Sequence, residues 1–266
     1  MQEKSIISVR NLVKRFGNRV VLEGITLEIP EGKISVIMGG SGCGKSTFLR
    51  HLIGLYQPDE GEILIDGQNI VGLAERPMNA VKRKFGMLFQ GAALFNSLTV
   101  AENVALPIRE HTDLSDEIIK IIVKVKLELV GLTGFENFMP HQISGGMKKR
   151  VALARAIALD PKIVFYDEPG AGLDPITASM IDQLILDLSR KLKITSVVVS
   201  HEMKSAFRIA DQMIVLHRGK VLEVGTGPQI QNTKNPYIRQ FINGEPEGAI
   251  PFIQTSDAYL KGLLQN

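Results

Sequence analysis

Tryptophan is absent from the chain, and cysteine occurs once, at position 43. A lone thiol cannot close an internal disulfide, so a cross-linked secreted domain is excluded and a reducing compartment such as the cytosol is expected. Long hydrophobic runs are missing as well: no stretch approaches the roughly 18 uninterrupted apolar residues that span a bilayer. The opening residues, Met1-Gln2-Glu3-Lys4-Ser5, lack the apolar core of a signal peptide. Neither sign of charge dominates. A formal net charge of +3 gives no argument for nucleic acid, and the short clusters Lys82-Arg83-Lys84 and Lys148-Lys149-Arg150 read as solvated helix faces. Repeats and low-complexity segments are not found. What remains, 44% hydrophobic and 22% charged over 266 residues, is a globular composition with room for one large or two small domains.

The information is concentrated in residues 39–47, Gly39-Gly40-Ser41-Gly42-Cys43-Gly44-Lys45-Ser46-Thr47, which fit G-x-x-x-x-G-K-[ST]. The apolar run Ile34-Ser35-Val36-Ile37-Met38 precedes them and Phe48-Leu49-Arg50-His51-Leu52-Ile53 follows. Strand, loop and helix therefore come in the order a phosphate cradle requires. Glycines let successive backbone N–H groups turn inward toward phosphate oxygens, and the following helix adds the positive end of its dipole. Lys45 is expected to reach the β- and γ-phosphates, and the Ser46 hydroxyl to ligate Mg²⁺.

The surrounding pattern is α/β. Strands are expected over 5–13 and 20–29, joined at Gly17-Asn18, then at the P-loop, over 62–65 and over 85–89. From 91 to 159 the periodicity turns helical, with Ile118, Ile119, Ile122, Val125, Leu129 and Val130 near helix spacing and a second, alanine-rich helix over 147–159. A strand at 163–166, an amphipathic helix at 176–192, a strand at 194–199, a helix to 210 and a hairpin over 213–224 around Arg218-Gly219 follow. Alternating strands and helices imply a largely parallel sheet with an antiparallel N-terminal layer and a helical insert. Three divisions are expected: a nucleotide-binding core over 1–90 and 161–242, the insert over 91–160, and a C-terminal extension over 243–266 after the break at Gly244-Glu245-Pro246.

A P-loop binds phosphate; hydrolysis needs a further Mg²⁺ anchor and a group that orients water. Ile163-Val164-Phe165-Tyr166-Asp167-Glu168 supplies both, a buried strand ending in two carboxylates. Asp167 is read as the metal-side carboxylate and Glu168 as the group that polarises the attacking water; capping the next helix is the plainer job for such residues. His201 closes the strand at 196–200, where a neutral imidazole would bond the γ-phosphate and couple it to Glu168. His51, His111, His141 and His217 belong to no motif and are read as structural or exposed. Ser144-Gly145-Gly146, ahead of Met147, fits a helix N-cap followed by two residues that a ligand can approach closely. One phosphate chain does not need two cradles, so this spare one makes sense for the nucleotide of another subunit.

Taken together, residues 5–242 resemble the ATP-binding cassette (ABC) ATPases. In that resemblance Phe16 corresponds to the aromatic that stacks on adenine, residues 39–47 to Walker A, and Gln90 to the Q-loop glutamine that joins Ser46 and Asp167 at the metal. Ser144-Gly145-Gly146 corresponds to the signature, Asp167 and Glu168 to Walker B and the catalytic glutamate, Asp174 in Gly172-Leu173-Asp174-Pro175 to the D-loop, and His201 to the switch histidine. The resemblance implies a RecA-like P-loop fold, ATP and Mg²⁺ as ligands, catalytic roles for Glu168, His201, Lys45 and Gln90, and a head-to-tail homodimer with two ATPs between Walker A and the opposite signature.

Residues 89–100, 103–112 and the tail from Gln240 to Phe252 are similar, more narrowly, to the ATPase subunits of Mla lipid-asymmetry transporters and related systems that serve MCE proteins. That similarity implies phospholipid transport powered from the cytoplasmic face of the inner membrane, through a separate permease. It also implies an MCE-domain protein, a small STAS-like accessory protein, and a tail that crosses onto the second ATPase. Met147 departs from the glutamine of most importer-like cassettes and cannot hydrogen-bond across the dimer. An importer ATPase for amino acids or metals, and a cassette acting in DNA repair or translation, are the alternative readings.

Overall fold

The computed structural model describes residues 4–249. The apolar tail, with Ile250, Phe252, Ile253, Tyr259, Leu260, Leu263 and Leu264, lies outside the described residues. Strands β1 (Ser5–Phe16) and β2 (Arg19–Pro30) pair antiparallel up to Phe16↔Arg19, so both run closer to the Gly17-Asn18 turn than expected. After β3 (Ile34–Met38) and α1 (Lys45–Leu52), β4 (Glu60–Ile65) and β5 (Gln68–Asn69) complete a four-stranded sheet ordered β2-β1-β4-β5. Next come α2 (Glu75–Lys82), β6 (Phe85–Leu88) and the helical insert, α3 (Val100–His111), α4 (Asp116–Leu129) and α5 (Gly145–Ala156). The remainder alternates: β7 (Ile163–Asp167), α6 (Pro175–Leu192), β8 (Thr195–Val199), α7 (Met203–Ile209), β9 (Gln212–His217), β10 (Lys220–Gly225), α8 (Gly227–Gln231) and α9 (Pro236–Asn243).

These strands form a six-stranded sheet ordered β10-β9-β3-β8-β7-β6, parallel except for the β10–β9 hairpin. Central parallel strands are covered on both faces, which explains why every residue of β3 and β8 is buried. Their pleat sorts side chains to two cores. Val164 and Tyr166 of β7, Val198 of β8 and Met213 and Val215 of β9 join the insert residues Val104, Ile108, Val123 and Leu127. Ile163, Phe165, Val197, Val199, Ile214 and Leu216 face the opposite way, onto Phe48, Leu49 and the apolar side of the antiparallel sheet. Each fully buried side chain of this size contributes about 1.5–3 kcal/mol of transfer free energy, so register is strongly specified on both faces.

One consequence positions the site. Because β3, β6, β7, β8 and β9 are parallel, their carboxyl ends lie on the same edge of the sheet. The P-loop leaves β3 there, Gln90 follows β6, Glu168 follows β7, His201 follows β8 and Arg218 follows β9. Open parallel sheets bind ligands along that edge, outside the strand ends.

Candidate functional site

The P-loop is closed over its own lysine. Lys45, buried at the start of α1, donates from Nζ to the carbonyls of Gly39 (2.7 Å) and Gly40 (3.0 Å). Gly39 is required by close approach: φ is +151°, and a Cβ there would stand 2.2 Å from the Leu216 carbonyl oxygen. The end of β9 therefore buttresses the loop, and from the β9–β10 turn the Gly219 N–H donates to the Cys43 carbonyl at 3.0 Å. Sequence reasoning missed this buttress; Gly219 in a hairpin turn was its only signal. A cleft of about 460 Å³ opens beside the loop, lined by Arg19, Val20, Val21, residues 40–43, and residues 217–219. Cys43 is buried, which pushes its thiol pKa up and keeps it protonated.

At the end of β7, Asp167 Oδ1 is buried and has no hydrogen-bond partner. Burial raises its pKa, the neighbouring Glu168 charge adds to that, and Arg50, Lys149 and Lys45 oppose it. An orphaned carboxylate oxygen among cations is a fitting donor for a hard divalent ion, and Mg²⁺ commonly takes one or two carboxylates alongside substrate phosphates. No cluster of three or more His, Cys, Asp or Glu side chains arranged for a metal occurs among the described residues. The residues present thus fit an ion that arrives with phosphates, with Ser46 exposed in the first turn of α1 and Gln90 exposed after β6.

Glu168 adopts φ +49°, a left-handed conformation that costs a non-glycine residue about 1–2 kcal/mol. Its N–H donates to the Val199 carbonyl at 2.9 Å, holding it to the end of β8. The carboxylate is mostly buried, and His201 donates from Nδ1 to Glu168 Oε2 at 2.8 Å while its ring stays largely exposed. Neither carboxylate caps α6. That role falls to Asp174, whose Oδ1 accepts from the N–H groups of Ile176 and Thr177, both at 3.0 Å. The Thr177 hydroxyl donates to Oδ2 and, with these bonds, holds the Asp174 pKa low.

The cluster Lys148-Lys149-Arg150, read from sequence as a solvated face, is corrected at its centre. Lys149 is 5% exposed. Its Nζ donates to the Gln90 carbonyl and, at 3.4 Å, to the Glu168 carbonyl. A lysine four residues past the first helical residue points back over the preceding turn, toward the sheet edge; the composition of the cluster carried no hint of this. Two further side chains pin the same loop. Arg155 donates to the carbonyls of Ala92 (2.9 Å) and Ala93 (2.8 Å), both at positive φ. The buried Asn103 amide bonds the backbone of Phe95, Leu98 and Thr99.

Ser144 caps α5, its Oγ accepting from the Met147 N–H at 3.3 Å. The helix consequently starts at Gly145, ahead of the expected 147. Gly145 is exposed, while Gly146 is buried and close to α6: a Cβ would meet Thr177 Cγ2 at 2.5 Å. Met147 is half-buried and packs on the insert's core. Neither Ser144 nor the glycines line the P-loop cleft. Phe16 does not line it either. It stands 48% exposed at the end of β1, edge-on to Tyr56 with ring centroids 5.9 Å apart, and Lys14 Nζ lies 5.5 Å from its ring centre. His51 is buried and structural, His111 lines a groove beside α3, and His217 stacks on Tyr237 at 5.0 Å beside the P-loop cleft.

The family model for ABC transporters matches residues 22–171. A Haemophilus influenzae protein named intermembrane phospholipid transport system ATP-binding protein MlaF is 43% identical over 262 residues, which are 98% of this chain and 99% of that one. A Mycobacterium leprae protein named probable ribonucleotide transport ATP-binding protein mkl is 42% identical over 251 residues, 94% of this chain and 72% of that one. Among solved structures, the dimeric post-hydrolysis state of the ATP-binding cassette MJ0796 bound to ADP and Pi superposes with a TM-score of 0.76. It is 34% identical and covers 83% of this chain and 98% of that one.

Proposed function

Because the chain belongs to the ABC transporter family as an ATP-hydrolysing subunit, we propose that it works as a homodimer whose two shared ATP sites drive phospholipid transport through a separate membrane permease. The observation that carries this reading is a split cradle. The P-loop, Asp167, Glu168 and His201 gather along one sheet edge, while the Ser144 cap and Gly145 are exposed and do not line that cleft. A second copy, arranged head to tail, brings its Ser144, Gly145 and Gly146 to the γ-phosphate. The MJ0796 cassette, dimeric by its name, supports the pairing of two copies.

In this reading the P-loop N–H groups and Lys45 hold the phosphates, and Phe16 stacks on the adenine. Ser46, Asp167 and Gln90 would hold Mg²⁺, which would supply positive charge to offset that developing on the phosphates. Glu168 orients water for in-line attack. His201 keeps Glu168 in place through Nδ1; with that nitrogen donating, Nε2 donates to a phosphate oxygen only in the imidazolium form. Asp174 shapes the loop that meets the second copy. Loss of phosphate breaks the bridge between copies and opens the pair.

Residues 1–90 and 161–242 act as the core, 91–160 as the lever, and 243–266 as an extension toward the second ATPase. Between core and lever runs a groove of about 640 Å³ that includes Phe85, Phe89, Phe95, Leu106, Pro107 and Arg155. It suits a cytoplasmic helix of the permease, with Gln90 relaying the state of the phosphates into it. No helix among the described residues is long and apolar enough to cross a membrane. In this reading the permease holds the chain at the cytoplasmic face of the inner membrane. An MCE-domain protein and a small STAS-like protein complete the assembly. The phospholipid cargo is supported by the relative matched from end to end. The mycobacterial relative carries a ribonucleotide in its name, over less of its length.

Two experiments test the reading. Glu168→Gln is expected to retain ATP binding, slow turnover at least about 100-fold and accumulate closed dimers; hydrolysis near the parent rate rejects the role of Glu168. Purifying the chain with its membrane partners and identifying co-purifying small molecules by mass spectrometry tests the cargo. Phospholipid, with ATPase activity stimulated by phospholipid vesicles, is expected; bound ribonucleotide with no response to vesicles defeats the lipid assignment.

A further inference from the structure

Lys149 is the buried cation of this site that no motif accounts for. An ammonium group removed from water is costly unless its donors find acceptors, and here the acceptors are two backbone carbonyls from separate elements. One belongs to Gln90 in the loop after β6, the other to Glu168 after β7. The side chain comes from α5, whose first residues are Gly145 and Gly146. Residues 145 and 149 lie one turn apart, about 6 Å along the axis. A helix is stiff over that distance, so Lys149 moves with the turn that presents Ser144.

We propose that Lys149 is a positioning residue for hydrolysis: it ties the Gln90 and Glu168 backbones together and couples both to the Ser144-Gly145-Gly146 turn on its own helix. This rests on the reading of Glu168 as the group that orients water. Glu168 sits in a left-handed conformation, so the direction of its peptide depends on what holds it. The N–H is held by Val199, while the carbonyl accepts from the Ala171 N–H at 3.1 Å within its own loop and from Lys149 Nζ at 3.4 Å, the one bond that reaches it from α5. Tilting α5 draws Nζ away from one carbonyl or the other. The grip of a signature turn on the nucleotide of a second copy is thereby felt at the glutamate of its own subunit, without any contact between the two nucleotides.

The test uses the intact chain with steady-state ATP hydrolysis and binding of a non-hydrolysable ATP analogue. Lys149→Met keeps length and bulk but removes every donor. It is expected to lower kcat at least about tenfold while leaving KM and analogue affinity within about twofold, and Lys149→Arg, which keeps a long donor, should recover kcat to within about threefold. A Lys149→Met enzyme with kcat within about twofold of the parent overturns the proposal. Parallel loss of analogue affinity, or an arginine variant no better than methionine, also overturns it by reducing Lys149 to a packing role. Should methionine prevent folding, Lys149→Gln is judged by the same kcat and affinity criteria. Glu168→Gln, measured alongside, separates the two ideas: if it retains turnover, the reading of Glu168 fails whatever Lys149 does.

Discussion

At the scale of single residues, chemistry follows from what each side chain is left to bond. Lys45 already bends back over the loop to the carbonyls of Gly39 and Gly40, where its ammonium donors are satisfied. Lys45→Ala is expected to weaken ATP affinity at least about tenfold, read by titration with a fluorescent analogue; unchanged binding would remove the P-loop from the site. His51 is a different case. Its Nδ1 lies 2.7 Å from the Thr47 carbonyl, Nε2 is buried without a partner, and burial pushes its pKa below the ordinary value. The folded chain therefore resists protonating His51, while the unfolded chain takes up the proton near pH 6.5. This contribution to stability is complete above that pH and is lost as pH falls from there toward the folded value. His217, lowered mainly by burial, adds in the same direction. Urea midpoints measured between pH 7.5 and 5.5 should fall, and less steeply in His51→Gln; equal slopes in both proteins would rule the assignment out.

At the scale of elements, several helix starts are written locally, with side-chain caps on α3, α5, α6 and α9. Thr99 and Glu102 form a capping box on α3, with Thr99 Oγ1 accepting from the Glu102 N–H and Glu102 Oε2 from the Thr99 N–H. Thr99→Ala is expected to cost about 1 kcal/mol, measured by denaturant titration, with ATP affinity unaffected. No loss of stability would mean that packing alone holds the start of α3. Legibility tracks locality here. The P-loop, the Ser144 cap and the carboxylates closing β7 were visible because nine residues or fewer encode each of them. The two-residue β5 carried too little pattern to be read, and α2 was not anticipated beneath a charged, turn-like stretch. Asp174 was placed in its loop, yet its use as the cap of α6 emerged only with the fold.

At the scale of the whole molecule, the decisive expectation is that two copies share each site. Lys45→Ala chains lack a working P-loop but keep the signature, and Ser144→Arg chains have the reverse defect. Mixed in equal amounts, about half the dimers pair one of each and hold one intact composite site, so activity should rise toward about a quarter of the parent value. A mixture no more active than its components would place the whole reaction within one copy.

Sequence by itself determined the phosphate cradle, the paired carboxylates and the alternation of strands and helices. Each is a short-range property, set by which backbone angles and buried faces a few neighbouring residues allow. Only the tertiary structure decided that the ends of β3, β6, β7 and β8 stand side by side, that Leu216 at the end of β9 braces Gly39, and that Lys149 leaves its charged cluster to hold Gln90 and Glu168. Strand order and register link residues more than a hundred positions apart. Burial of two apolar faces at once enforces those links, and no local pattern records them.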